Sequence, residues 1–97
     1  MIKVMIERRV KARQDLSFLL LELRVAATMH SSGYVSGETL VDTQDNSSII
    51  TLSTWRSIED WKRWATSETR AKLYRDMTPL LREKPKVRIF EIMETEH

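Results

Sequence analysis

The spacing of apolar residues changes period four times along this chain of 97 residues, and the order of those changes restricts the fold more than any single motif. A period of two marks a half-buried strand, and a period near 3.6 marks a helix with one buried stripe. Ile2, Val4, Ile6 and Val10 alternate with Lys3, Glu7 and Arg9, which predicts a first strand. Lys11 to Gln14 is a short polar break, and Asp15 is the expected N-cap of a helix. Leu16, Leu19, Leu20, Leu23 and Ala27 then share one helical face, with Ser17, Glu22 and Arg24 off it. Ser31-Ser32-Gly33 after His30 supplies the stop, with a glycine able to take positive φ.

Tyr34–Val41 and Ser48–Trp55 read as two more strands, joined by the polar turn Asp42 to Ser47 into a β-hairpin. Ser57 caps the next helix, with Asp60 where a capping box usually carries Glu or Gln. Ile58, Trp61, Trp64 and Ala65 have helical spacing. Ser67 to Arg82 predicts a further helical segment, with Ala71, Tyr74 and Met77-Thr78 inward ahead of Pro79 and Leu80-Leu81. Pro85 blocks more helix, and Val87, Ile89, Phe90 and Ile92 form the last strand. This β-α-β-β-α-β order predicts a ferredoxin-like α+β fold: a four-stranded antiparallel sheet with both helices on one face. With no linker and no repeat beyond the twofold β-α-β echo, residues 1–97 are expected to form a single domain.

The second sheet face carries information about assembly. Met5 shares it with Lys3 and Glu7, while Ile49 with Ile50 and Ile89 with Phe90 put apolar side chains on both faces. A sheet wetted on one side alternates more cleanly. A chain this small buries only about two thirds of the surface its unfolded form exposes. Both points predict a homodimer formed through the sheet faces.

Composition removes several function classes. The chain has no cysteine, hence no disulfide scaffold and no thiolate metal site. Sixteen basic residues against fourteen acidic ones leave a balanced chain with short, broken basic stretches, not the basic stripe with exposed aromatics that nucleic-acid binding needs. The start lacks the apolar run of a signal peptide, and nothing approaches the roughly 18 apolar residues of a membrane span; the expected location is the cytoplasm. There is no metal-ligand spacing, and no Ser-His-Asp set or Gly-rich phosphate loop. His30 reads as a helix-end residue favoured by the macrodipole, and His97 is the last residue. Glu91, Glu94 and Glu96 read as a solvated tail, and Glu38 with Arg88 as a cross-strand pair worth tenths of a kcal/mol.

Gly33-Tyr34 and Gly37, followed by Ser53-Thr54-Trp55-Arg56-Ser57-Ile58-Glu59-Asp60-Trp61-Lys62-Arg63-Trp64, resemble the antibiotic biosynthesis monooxygenase domain family. The shared features are a strand-ending Trp, a Ser-x-Glu-Asp helix start and a Trp two turns later. The resemblance implies a dimeric α+β barrel with a pocket between sheet and helices in each subunit. It also implies, for some members, oxidation of quinols or polycyclic aromatics by molecular oxygen with no bound cofactor, and for others haem degradation. The haem-degrading branch uses an Asn late in the first strand, a Trp in the second helix and a haem-ligating His beyond it. Trp64 matches that Trp, but Arg8 stands at the Asn position and Tyr74 at the His position. Haem degradation is therefore not expected.

Three residues are the candidate pocket set: Trp64, Arg8 and Tyr74. Trp55, Trp61 and Trp64 could wall an aromatic pocket, but Trp55 and Trp61 read first as core residues. Arg8 shares its strand face with Ile2, Val4 and Ile6. Either its guanidinium binds a phenolate or oxyanion at the rim of an apolar cavity, or its stem is buried and its head reaches water or an acid. Tyr74 is either a donor to substrate or a half-buried helix residue with its hydroxyl at the surface. No residue stands out as a general base. Three functions remain: a cofactor-independent monooxygenase for a small aromatic or quinol-like substrate, a dimeric binding or regulatory module for a hydrophobic metabolite, or an interaction unit with a filled pocket.

Overall fold

Alternation organises β1 (Ile2–Arg9), in which Ile2, Val4, Ile6 and Arg8 are buried and Lys3 and Arg9 are exposed. The computed structural model describes residues 1–11 and 13–94, with the backbone alone of Gln14 and Asp15. After β1 come α1 (Arg13–His30), β2 (Tyr34–Val41), β3 (Ser48–Trp55), α2 (Ile58–Ala65) and α3 (Glu68–Met77). A 3-10 turn over Thr78–Leu80 then leads to β4 (Lys86–Glu91). The strands form one four-stranded sheet in the order β2-β3-β1-β4, antiparallel at every neighbour. This is the α+β arrangement that the order of periods predicts.

Register decides which residues meet the helices. Ile2 pairs with Trp55, Val4 with Ser53, Ile6 with Thr51 and Arg8 with Ile49, so these eight form the helix-side layer of the two central strands. Above them lie two apolar clusters. One joins Ile2, Val4 and Ile6 to Ala27, Trp55, Trp61 and Trp64. The other joins Val10, Leu16, Leu20, Ile49 and Met77. Burial at roughly 25 cal/mol per Å² of apolar surface makes these clusters the main favourable term.

α1 begins at Arg13, so Asp15 lies inside the first turn and does not cap it; its side chain lies outside the described residues. The chain ahead of the helix is pinned on both sides, Val10 N–H donating to the Ser47 carbonyl and Lys11 N–H to that of Leu80. The helix starts as soon as those bonds release the backbone. The expected stripe is buried at Leu16, Leu20 and Ala27, but Phe18, Leu21, Val25 and Met29 form a second, exposed apolar row on the outer side.

Several expectations need correction. Gly33 has no positive φ; it is buried, and a β-carbon there would collide with the Asp60 side chain. Space, not backbone freedom, requires the glycine. Ala71 faces solvent, because the inward row of α3 runs through Arg70, Leu73, Tyr74 and Met77, the i, i+3, i+4, i+7 set of one face. α3 ends at Met77, ahead of Pro79, and only the short 3-10 turn continues it. Glu38 and Arg88 cannot pair: β2 and β4 are opposite edges of the sheet, and the Arg88 guanidinium lies over the Phe90 ring at 4.9 Å. The expectations on Glu96 and His97 lie outside the described residues.

Ser57 caps α2 as expected, its Oγ accepting from the Asp60 N–H at 3.2 Å and donating to the Asp60 carboxylate at 2.9 Å. Asp is too short to complete the usual box to the cap's own N–H; the hydroxyl serves instead. On the sheet face away from the helices, Met5, Ile50 and Leu52 are half-buried, and Leu40 and Phe90 remain 41% and 40% exposed.

Candidate functional site

Three indoles build one wall. Trp55 ends β3 and donates from Nε1 to Ser53 Oγ at 2.9 Å. Tyr34 meets it edge-on with ring centroids 5.3 Å apart, and Trp61 does so from the other side at 5.5 Å. These are favourable aromatic geometries. Trp61 and Trp64 lie three residues apart on α2, so both point down at the sheet. Gly37 on β2 leaves room for the Tyr34 hydroxyl, which would collide with a β-carbon there.

Between this wall, α1 and the sheet lies a cavity of about 70 Å³, bordered by Ile6, Leu23, Ala27, Thr51 and all three tryptophans. That is room for about five to seven waters at roughly 10–15 Å³ each, the scale of a single-ring compound. Its charged border is Arg8, Arg24 and Arg70; Glu38 also borders it, but Glu38 pairs with Leu52, so its side chain belongs to the sheet face away from the helices.

Arg8 is the unusual residue. It is 0% exposed. Nη1 donates to Thr51 Oγ1 at 2.9 Å and Nη2 to the Tyr74 hydroxyl at 2.5 Å, while Nε–H has no acceptor. Arg70 approaches from α3: its Nη2 donates to the same Tyr74 oxygen at 2.8 Å and its Nη1 to the Ala65 carbonyl at 3.3 Å. Its guanidinium stacks 3.9 Å from the Tyr74 ring centroid and 5.2 Å from that of Trp61. Among the described residues neither arginine forms an ion pair. Both donate only to neutral oxygens.

The electrostatics follow. Burial pushes the Arg8 guanidinium below its ordinary pKa, against the opposing pull of Tyr74. Burial does the same to Arg70; Tyr74 opposes the shift and the neighbouring Arg8 charge adds to it. The site is a desolvated cationic pair bridged by one phenol oxygen.

Of the three candidate residues, Trp64 and Arg8 border the cavity. Tyr74 stands behind the wall, its hydroxyl between the two guanidiniums and not at the surface. Neither ordinary fate of a buried-stem arginine applies to Arg8: its head is enclosed and donates to Thr51 and Tyr74, and it forms no ion pair among the described residues. Trp55 and Trp61 are core residues and cavity wall at once. Arg70 was missed, although a readable signal existed: it lies four residues before Tyr74 on the same helical face. Among the described residues no group of three or more His, Cys, Asp or Glu could hold a metal ion, and no helix is long and apolar enough to cross a membrane.

Solved structures share this architecture. SnoaB, a cofactor-independent oxygenase from Streptomyces nogalater, superposes with a TM-score of 0.87 at 12% identity over 97% of this chain and 94% of its own. A Caulobacter crescentus protein gives 0.88 at 14% identity, covering 96% and 90%. A Mycobacterium tuberculosis protein gives 0.84 at 14%, covering 99% and 98%. At such identities the likeness is one of fold. A comparison with curated proteins found no match. The sequence itself matches the antibiotic biosynthesis monooxygenase family over residues 1–76, from the start of the chain through nearly all of α3, and the chain belongs to that family.

Proposed function

We propose that the protein is a cofactor-independent monooxygenase acting on a small aromatic or quinol-like substrate held between sheet and helices. The observation that carries this reading is the indole-walled cavity with a fully buried guanidinium, Arg8, at its border. An electron-rich quinol can reduce dioxygen itself: one oxygen atom enters the ring, the other leaves as water, and the quinol becomes a hydroxyquinone. The protein's part is to exclude water, to hold the ring flat against Trp64, and to stabilise negative charge on the ring oxygen as it develops next to Arg8. SnoaB, with the same fold, is described as a cofactor-independent oxygenase, which supports the reading. The cavity's volume favours a single ring over a polycycle.

The sheet face away from the helices completes the proposal. Its half-buried Met5, Ile50 and Leu52 and its exposed Leu40 and Phe90 are covered by a second copy in a dimer, leaving each cavity on the helical side.

Oxygen uptake with a panel of substituted hydroquinones and anthrone-like compounds tests the activity. Uptake should require the protein and fall at least tenfold in Arg8→Met and Trp64→Phe. Absence of uptake across the panel overturns it. The one carboxylate residue at the cavity border, Glu38, is exposed and has its side chain on the other sheet face, and this lack of a base favours one alternative, a binding module for a hydrophobic metabolite. Ligand-dependent thermal stabilisation without turnover is its signature.

A further inference from the structure

The paired guanidiniums ask for a counter-charge that the described residues do not supply. Arg8 and Arg70 converge on one oxygen, each satisfied only by neutral acceptors, and Arg8 keeps a buried Nε–H with no partner. Buried charges in proteins are paired as a rule, because an uncompensated one is costly. Tyr74 spaces the two cations but does not neutralise them. Arg24, exposed on α1, adds a third positive charge at the cavity border, and the exposed Glu38 forms no ion pair with any of them. A border of this sign draws anions inward.

We infer that the cavity's ligand carries a carboxylate, received by Arg8 and Arg70, with its apolar ring lying against Trp61 and Trp64. This rests on the reading that the cavity is the ligand site, but not on catalysis taking place there. A carboxylate suits the site better than a phenol for two reasons. It arrives already ionised at neutral pH, whereas a phenol of ordinary acidity (pKa about 10) must first lose a proton, and the one carboxylate residue at the border, Glu38, has its side chain on the other sheet face. Its two oxygens also match a guanidinium's fork of donors, and the half-buried Arg70 is the more reachable of the two guanidiniums at the border. The ring then fills the apolar part of the cavity, where Trp64 is buried at 4% exposure.

Calorimetric titration at fixed ionic strength tests this on the whole chain. The probes are benzoate, phenylacetate and cinnamate, each beside its neutral alcohol, with chloride as a small-anion control. At least one carboxylate should bind ten times or more tighter than its alcohol. Arg70→Gln should weaken that carboxylate at least tenfold more than it weakens the matching alcohol. Arg70 is the better variant because it is less buried than Arg8, and circular dichroism confirms that its fold is kept. The inference is overturned if acids and alcohols bind alike, if no acid binds, or if chloride matches the acids. It is also overturned if the ligand-free protein shows tyrosinate absorbance at neutral pH, since Tyr74 would then be the counter-ion itself. Carboxylate binding without oxygen uptake refutes the monooxygenase reading and leaves this one intact. Oxygen uptake on neutral quinols with no preference for acids does the reverse.

Discussion

Replacing Arg8 by methionine should make the ligand-free protein more stable, the opposite of what removing a fully buried, hydrogen-bonded residue usually does. The two guanidiniums that share the Tyr74 oxygen hold like charges one hydrogen-bonded atom apart, a repulsion on the order of 3 kcal/mol at an effective dielectric near 20. Arg70 is only partly buried, so solvent screening reduces this to about 1–2 kcal/mol. The unbonded Arg8 Nε–H adds about 1–3 kcal/mol for a buried donor without a partner. Both costs vanish in Arg8→Met. Against them, the Thr51 hydroxyl loses its donor, about 1 kcal/mol, and the flexible methionine refills the space with an error under roughly 1 kcal/mol. Tyr74 keeps Arg70 as a donor.

The terms sum to a gain of about 1–4 kcal/mol, less up to about 1 kcal/mol for imperfect repacking, so a gain of about 2 kcal/mol is expected. For a domain of this size that raises the melting temperature by roughly 8–16 °C. Urea unfolding followed by far-ultraviolet circular dichroism at neutral pH measures it, with an unchanged m-value as the check that only stability moved. Stability gained together with loss of ligand response is the mark of a residue kept for function. A loss of more than about 1 kcal/mol would mean that the Arg8 charge is compensated within the chain, and the reasoning about an incomplete site would be refuted.

Tyr74→Phe should act in the opposite sense to Arg8→Met, costing about 2–4 kcal/mol because the buried Arg8 donor and the half-buried Arg70 donor lose their acceptor at once; combined with Arg8→Met the cost should shrink, a coupling that a double-mutant cycle reads directly. Gly33→Ala should destabilise by roughly 1–3 kcal/mol through its collision with Asp60, visible as a lower midpoint in urea. Asp45 is held below its ordinary pKa of 3.8 by the Ser47 hydroxyl first and the Ser47 N–H second, so its contribution is present above that value and lost as the pH falls through the lower folded value. Asp45→Asn should therefore flatten the acid limb of the stability profile, measured by urea unfolding between about pH 2 and 5. Leu52→Glu places a charge at the centre of the proposed dimer face and should shift sedimentation from two chains to one while leaving the circular dichroism spectrum unchanged.

The strands and helices were legible because each depends on residues close together in sequence: alternation in β1, the Leu16–Ala27 stripe, the Ser57 cap. What the sequence leaves illegible depends on distance. The charges of Glu38 and Arg88 suggest a pair, yet the strand order places two strands between them. Gly33 reads as a turn glycine because its collision partner, Asp60, lies on another element. Arg8 and Tyr74 each stand out alone, but nothing local says that they share a hydrogen bond across 66 positions of sequence. Spacing alone lets Ala71 and Thr78 share a face with Tyr74 and Met77, but both are exposed, because contacts from other elements turn the helix so that Arg70 and Leu73 complete the inward row.

The same alternation that makes β1 readable also makes its last buried position informative. Ile2, Val4 and Ile6 set a pattern under which the next helix-facing residue should be apolar, and the chain places arginine there, fully buried. A sequence that satisfies every local rule around one position and violates the rule at that position has accepted instability for a reason. Here the violation is not isolated: α3 brings a second arginine to the same oxygen, from a helix face whose neighbouring turns carry Leu73 and Met77. One buried cation could be an accident of packing, tolerated by snorkelling. Two cations converging on the border of the indole-walled cavity, where snorkelling is closed to Arg8, find no carboxylate partner among the described residues, and that is the ground on which the carboxylate ligand inferred above stands.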